Sequence, residues 1–529
     1  MAERFQVIIV GGGPVGLALA VDLGLRGVSC ALVERRKTPQ RIPKGQNLTA
    51  RTLEHFHRWG IEDELRRGRV LPPGYPIGNV TAYGSLMSDF WYAPRGPESA
   101  GNYYFTRNER LPQYVTEAVL RTRVEQIPGV RAMFGCTAKL VEQDRQGVRV
   151  TIASEARPDD EIVISADYVV GCDGPRSLVR EQMGIGRDGS DYDQRMMLAV
   201  FRSKDLHEGL QRFPPVTTYR VLKPELQGYW QFFGRIDVGE GFFFHAPVPN
   251  DASTDSFDFL GLLQEAAGFD LQAEFDHVGF WDLRILVARE YRKGRAFIAG
   301  DACHNHPPYG GLGLNTGLED AVNLGWKLTA ALEGWGSEAL LDSYGLERRP
   351  IFVETGEAMI AGGIESDRAF LERYNPSRDR EEFAQAWREL QANDRWHVSY
   401  APHYEGSSMV SGPPGAVCSI YGKQAYAAQA GHHLAPRMLS SGRNVFDELG
   451  DGFTLLAFGA EDSAVAAFED AAQAARVPLK VIRDNYQGDR LAYEAKLVLV
   501  RPDQFVAWAG DDSSLDASTI LHTATGDVQ

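Results

Sequence analysis

The apolar positions of this chain fall into distinct textures along its length. Phe5-Gln6-Val7-Ile8-Ile9-Val10 is a continuous apolar run of strand length, and Leu17-Ala18-Leu19-Ala20 resumes as a helical stretch. Residues 28–33 form a second buried strand. Leu53, Phe56, Ile61 and Leu65 recur at spacings near three to five, which predicts helix within 47–67. Residues 70–106 are rich in Pro, Gly and aromatics and read as loops with short strands. Pro112 opens a helix through Arg123, because proline is tolerated in a first turn. Strands are expected near 131–142, 147–153 and 161–170. From 190 to 290 the texture becomes aromatic and β-prone, with runs at 217–221, 229–233 and 242–245 separated by turns, which predicts antiparallel sheet. A buried strand at 295–299 and a helix at 318–332 follow, and 345–400 is charged and helical. Gly406-Ser407-Ser408 and Gly412-Pro413-Pro414-Gly415 mark a linker. Beyond it, runs at 453–458, 462–476, 478–482, 496–501 and 505–508 give a β-α-β-β-β order that suits a small separate α/β domain.

The break between the first strand and helix is Gly11-Gly12-Gly13-Pro14-Val15-Gly16. In a dinucleotide-binding turn, Gly11 allows the tight bend, Gly13 lets the backbone approach a pyrophosphate, and Gly16 lets helix pack on strand. The helix start supplies free N–H groups and a partial positive charge for phosphates. Glu34 closes the second strand 23 residues after Gly11, near the roughly 20 expected for a carboxylate on a ribose hydroxyl.

Composition narrows the classes. With 529 residues, 43% of them hydrophobic, the chain can form several domains with large cores. A charge of −16, with no basic stripe, argues against nucleic acid as a partner. Cys30, Cys136, Cys172, Cys303 and Cys418 are scattered and form no C-x-x-C pair, so they are expected as reduced thiols. No apolar run reaches the ~20 residues of a membrane span. The expected location is the cytoplasm, without membrane association.

Two further motifs stand out. One is Asp173-Gly174 at a strand end, followed by Pro175, Arg176, Ser177 and Arg180. The other runs Gly300-Asp301-Ala302-Cys303-His304-Asn305-His306-Pro307-Pro308-Tyr309-Gly310-Gly311-Leu312-Gly313-Leu314-Asn315-Thr316-Gly317. Together with the first glycine turn, this combination resembles the class A flavoprotein aromatic hydroxylases, single-component FAD monooxygenases that use NAD(P)H. The likeness covers residues 1 to about 350. The trailing segment resembles the thioredoxin-like extension of the phenol hydroxylase branch, without that fold's C-x-x-C.

The resemblance implies an α/β architecture. A Rossmann-like FAD-binding domain (1–180 and 281–345) is expected with an interleaved antiparallel-sheet substrate domain (181–280, with 70–106 contributing). A helical segment and linker (346–405) and a C-terminal thioredoxin-like domain (406–529) complete it. For FAD it implies Gly11, Gly13, Pro14, Val15, Gly16, Glu34, Arg35, Arg51, Gln113, Asp173, Asp301, Pro308, Gly311, Gly313, Leu314 and Asn315. Asp301 ends a strand, where a carboxylate either accepts from ribitol hydroxyls or caps the next segment. Glycines at 310, 311 and 313 let backbone approach a ring system, and the following helix start favours negative charge on reduced flavin. Arg51 lies in a stretch resembling the family's Arg-Thr-Leu-Glu. The pocket aspartate expected shortly before it is replaced by Gln46 or Asn47. His304 and His306 sit in a segment that commonly carries histidine without metal, so no metal is expected.

The implied chemistry has NAD(P)H reduce FAD, which takes up O₂ as a C4a-hydroperoxide and hydroxylates a phenolic or other activated ring. The candidate polar groups around the substrate are Tyr229, Gln231, Arg220, His306 and Pro307, with Arg235 and His245 also among the aromatics. The partners implied are a small aromatic or phenolic substrate and a second copy in a homodimer. Two alternatives stay open: a Baeyer–Villiger or epoxidising tailoring monooxygenase of polyketide metabolism, and a non-catalytic flavin-binding scaffold.

Overall fold

The computed structural model describes residues 3–93, 100–392, 400–511 and 516–527. Parts of the expected loop tract 70–106 and helical tract 345–400 lie outside the described residues. The first strand, Val7–Val10, is central in a six-stranded sheet. Cys30–Glu34 and Val130–Phe134 lie on one side of it, and Tyr168–Gly171, Ala296–Ile298 and Arg292–Lys293 on the other. All pairings are parallel except the edge hairpin 292–298. Val7, Ile8 and Ile9 are fully buried, as a continuous apolar strand in a covered parallel sheet must be. Helices Pro14–Leu25 and Leu312–Glu333 pack on each other and join this core. A three-stranded antiparallel sheet, Cys136–Asp144, Gly147–Ser154 and Arg157–Ala166, adds Val141, Val150 and Ile164 to it.

The aromatic region forms most of an eight-stranded sheet. The long strands Arg187–Arg202 and Glu274–Ala288 pair antiparallel, and Gly241–Val248, Gln231–Arg235 and Thr218–Leu222 follow in order. The expectation of antiparallel sheet holds until Thr218–Leu222, which pairs in parallel with Asn79–Tyr83, setting Arg220 beside Thr81. A parallel neighbour needs a long crossover, so turn signals in the local sequence could not reveal it. Period-two alternation gives the sheet two faces. One face, with Tyr219, Val221, Phe233 and Phe244, packs on Leu263 and Ala266 of helix Phe259–Ala267. The other, with Leu198, Trp230, Phe232 and Phe243, meets Tyr309 and Ile364.

The C-terminal unit is a four-stranded sheet in the order Leu479–Asp484, Phe453–Phe458, Leu497–Val500, Val506–Gly510. The first pair is parallel and the rest antiparallel. Helices Asp462–Ala475 and Ala517–Thr525 contribute to its core, the latter additional to the expected β-α-β-β-β order. That core is continuous with Trp326, Ala330 and Leu340 of the N-terminal region. Beside it lies a fully buried ionic cluster in which Glu347 accepts from Lys327 Nζ at 2.7 Å and from both terminal nitrogens of Arg501. The Gly/Ser/Pro cluster read as a linker is anchored to it: Ser407 is buried and its hydroxyl donates to Glu347 at 2.6 Å.

Candidate active site

The glycine turn is built as its sequence demands. Gly11 has φ +105°, and a Cβ there would lie 2.3 Å from the Cys172 carbonyl oxygen. A Cβ on Gly16 would lie 1.9 Å from the Gly11 oxygen, so helix and turn touch backbone to backbone. Gly13 instead faces open space. Pro14 occupies the first helical turn, and no side chain caps the helix start. The Glu34 carboxylate accepts from the Gly12 and Arg36 N–H groups, both at 2.7 Å. Arg35 and Arg36 line an open groove with Lys139 and Ser154.

The third motif meets this turn through Val15. Its side chain lies where a Cβ on Gly300 or Gly317 would stand, 2.9 and 2.7 Å away. The start of helix Pro14–Leu25 is thereby held against the start of helix Leu312–Glu333. The second helix also has no side-chain cap. Elsewhere Thr49, Ser177, Ser203, Asp258, Ser337 and Asp516 cap their helices, whereas Glu62–Arg67, Gln113–Glu125, Gly362–Arg373 and Asp462–Ala475 also start without one. Two helix starts with free N–H groups at one place suit an anionic ligand. Asp301 is solvent-accessible at this junction but crowded by protein, which raises its carboxyl above the ordinary value. Gly310 and Gly311 adopt φ +76° and +67°. Gly313 approaches the His306 ring, and Gly45 approaches both Gln113 and Leu314.

Several of the molecule's unpartnered buried polar atoms belong to the glycine motifs and the segments beside them. They include Asp173 Oδ1, both amide atoms of Gln46, Asn305 Oδ1 and His306 Nε2, and on the aromatic sheet His245 Nδ1 and Trp281 Nε1. Each orphaned buried group costs about 1–3 kcal/mol unless a ligand satisfies it. The glycine cradle, the two uncapped helix starts and these atoms fit a flavin dinucleotide with a ring system beyond it. Asp173 Oδ2 is already used, accepting from the Leu178 and Val179 N–H groups. Burial is the main cause that raises its carboxyl.

The flavin-side loop closes onto the aromatic face. Tyr309 stacks on Trp230 at 4.3 Å, with Phe232 6.3 Å away. Phe232 stacks on His245 at 4.8 Å, and Trp281 stands edge-on to His245 at 5.9 Å. Burial pushes His245 down to about 3 and His306 to about 4, so both are neutral at pH 7. A ring N–H of His245 donates to the Met197 backbone, leaving Nδ1 as an acceptor. His306 Nδ1 pairs with the Pro307 carbonyl at 2.5 Å.

Other sequence candidates lie differently. Gln231 pairs with Val221 and so shares the face of Phe233, away from the Trp230–Tyr309 side. This register is set by the partner strand, which a single strand does not disclose. Arg220 lies over Trp230, donates to Thr81 at 3.2 Å and pairs with Asp367 at 3.5 Å. Tyr229 is nearly buried and interacts with Arg368. Arg51 pairs with Glu319 and Glu54 and also reaches the C-terminal unit. Asn315 donates to the Asn47 and Gly311 carbonyls and accepts from Thr49 and Thr52, pinning the 47–52 segment. His304 pairs with Asp320 at 2.7 Å and stacks on Phe352. His432 and His433 are both engaged, His432 with Glu405 and His433 with the buried carboxylate of Glu54 at 2.8 Å. Gln46, Asn305 and Trp281 were not singled out as site residues. Gln46 stands where the family's pocket aspartate is expected and Asn305 lies inside the Gly300–Gly317 motif, while nothing in the local sequence marks Trp281.

Comparison with known proteins agrees with this geometry. Residues 4–357 match the FAD binding domain family, and 428–528 match the aromatic-ring hydroxylase C-terminal family. The chain is 30% identical to the FAD-dependent monooxygenase apdD of Emericella nidulans, over 98% of this chain and 90% of that protein. It is 31% identical to rifampicin monooxygenase of Streptomyces venezuelae, covering 96% of both. The solved flavin-dependent monooxygenase PieE, in complex with FAD and substrate, superposes with TM-score 0.84 at 27% identity, over 99% of this chain and 98% of that one. Among the described residues no helix is long and apolar enough to cross a membrane. The chain belongs to the family of FAD-dependent aromatic-ring hydroxylases and monooxygenases.

Proposed function

We propose that this monooxygenase inserts one atom of O₂ into a hydroxyl-bearing aromatic ring system, with NAD(P)H as reductant. The observation that carries this reading is the pairing of His245 Nδ1 and Trp281 Nε1. Both are buried and unpartnered on an aromatic face one ring away from the glycine loop. An acceptor beside a donor is complementary to a hydroxyl, which donates and accepts at once. Neutral His245 accepts a hydrogen bond from the phenolic hydroxyl, which polarises the O–H bond and raises electron density on the ring. Phe232, Trp230 and Tyr309 exclude water. Relatives named for rifampicin and for a nitrocatechol support a substrate of one or more electron-rich rings.

Bound FAD supplies the electrons taken from NAD(P)H and the activation of oxygen. Gly11, Gly13, Pro14, Val15, Gly16, Glu34 and Arg35 would hold its adenosine diphosphate half. Asp173 and Asp301 would face the ribitol, and Gln113, Pro308, Gly311, Gly313, Leu314 and Asn315 the ring. Arg51 would act indirectly, by fixing the helix that carries Glu319. We also read the C-terminal unit as thioredoxin-like. Its sheet order, with the N-terminal strand inside a parallel pair and the last two strands antiparallel, supports that reading.

The test is to purify the protein, load FAD, and follow NADH and NADPH oxidation with naphthols and hydroxyquinones under ¹⁸O₂. Labelled product with one heavy oxygen supports the reading. A protein that stays colourless with excess FAD, or a flavoprotein that yields only H₂O₂ with every phenol, overturns it.

A further inference from the structure

We propose that His403, Glu405 and His432 form a binding site for a divalent transition-metal ion of the zinc class. The three donor atoms lie within 4.8 Å of one another, in the chain segment leading into the C-terminal sheet. His403 is 7% exposed, and its Nδ1 is buried with no hydrogen-bond partner. That nitrogen lies 3.9 Å from Glu405 Oε2. The opposite side of the ring, at Cδ2, is turned to Gly422, and the Tyr421 backbone accepts from it. A carbonyl on one ring nitrogen fixes the proton there and leaves the other as a lone-pair donor, the arrangement found behind metal-bound histidines.

Glu405 Oε1 faces His432 Nε2 at 2.7 Å. The two imidazoles stack at 4.8 Å with planes 1° apart. Parallel rings aim their in-plane lone pairs in parallel, so one imidazole turns about its χ2 before both face a common ion. Two nitrogens and a carboxylate oxygen match the preference of Zn²⁺, with water completing four-coordination. His432, but neither His403 nor Glu405, lines a cavity of about 20 Å³ with Ala401, Pro402 and Gln429, room for a water on the His432 side of the cluster. Binding would bring His403 Nδ1 toward the other two donors, part Glu405 slightly from His432, and replace the Glu405–His432 hydrogen bond with two bonds to the ion. The ion would clip strand Tyr400–His403 to the turn that enters the C-terminal unit. None of these residues touches the flavin-side loop, so this inference stands apart from the proposed reaction.

The test uses the full-length, FAD-loaded protein after chelator treatment. Zn²⁺ binding is read by calorimetry, and Co²⁺ by its four-coordinate visible absorption. Expected is one ion per chain, with affinity falling at least about tenfold in His403→Ala and in His432→Ala, and unchanged in His57→Ala. No stoichiometric binding, or binding that survives both substitutions, overturns the proposal. Should either variant lose its FAD or its fold, X-ray absorption at the zinc edge of the wild-type protein decides. Two imidazoles and an oxygen support the site, and thiolate ligation or a fully hydrated ion refutes it.

Discussion

The Arg51 guanidinium donates to the Gln504 side-chain oxygen at 2.8 Å, across 453 residues of chain. It also donates to the Asp503 carbonyl at 2.6 Å while pairing with Glu319 and Glu54. One side chain therefore joins the helix Ala50–Arg58, the long helix Leu312–Glu333 and the C-terminal sheet. Arg51→Met would leave two buried carboxylates short of a partner, at a cost of roughly 3 kcal/mol. Expected are a lower melting temperature, faster proteolysis before residue 428, and retained FAD affinity at low temperature. Loss of FAD with unchanged stability would instead place Arg51 directly on the cofactor.

Gly16→Val tests the backbone contact at the turn. A Cβ at 1.9 Å from the Gly11 oxygen cannot be relieved by a side-chain rotation, because the obstacle is backbone. The variant is expected to fold around its other sheets yet purify colourless. Equilibrium dialysis with FAD measures this, and wild-type affinity would refute it.

Gln46→Met removes two orphaned buried polar atoms while keeping volume. If those atoms serve a bound molecule, the FAD-free chain gains about 1–3 kcal/mol, while coupled product formation falls. Denaturant melts and the ratio of product to NAD(P)H consumed report the two halves. A variant both less stable and fully active would show that Gln46 is satisfied by water.

His245 gives a pH signature of definite sign. Its folded value, about 3, lies below the ordinary 6.5. Below pH 6.5 the unfolded chain therefore takes up a proton that the native chain refuses. Stability falls with decreasing pH by ~1.4 kcal/mol per unit from this group, down to about pH 3. His245→Phe, surrounded by Phe232 and Phe243, is expected to flatten that decline by about one proton. An unchanged slope between pH 6 and 4 would contradict the neutral assignment.

What the sequence disclosed and what it withheld divide along physical lines. Gly11, Gly16, Gly310 and Gly311 meet local requirements of backbone geometry, so their pattern is readable in order, whereas Gly13 faces open space. The face of Gln231 is set by its partner strand, and a shift of one position would reverse it. The parallel pairing of Thr218–Leu222 with Asn79–Tyr83 carries no turn between them to announce it. Arg51, Glu54 and His433 look like solvated charges in isolation. Only the docking of the C-terminal unit buries them together. The same docking turned a Gly/Ser/Pro tract that reads as a tether into a packed segment through Ser407.

The partnership of Arg220 with Thr81 spans 139 residues and fastens the Asn79–Tyr83 strand into its sheet. On a ribosome adding about 5–20 residues per second, that strand leaves the exit tunnel on the order of ten seconds before its neighbour exists. During this interval Trp91–Tyr92 can pair with one edge of the strand, while the edge that takes Thr218–Leu222 stays open. Newly made protein thus passes through a sticky stage at this point, and slowing translation between codons 83 and 218 would lengthen it, raising the yield of chaperone-bound or insoluble nascent chains.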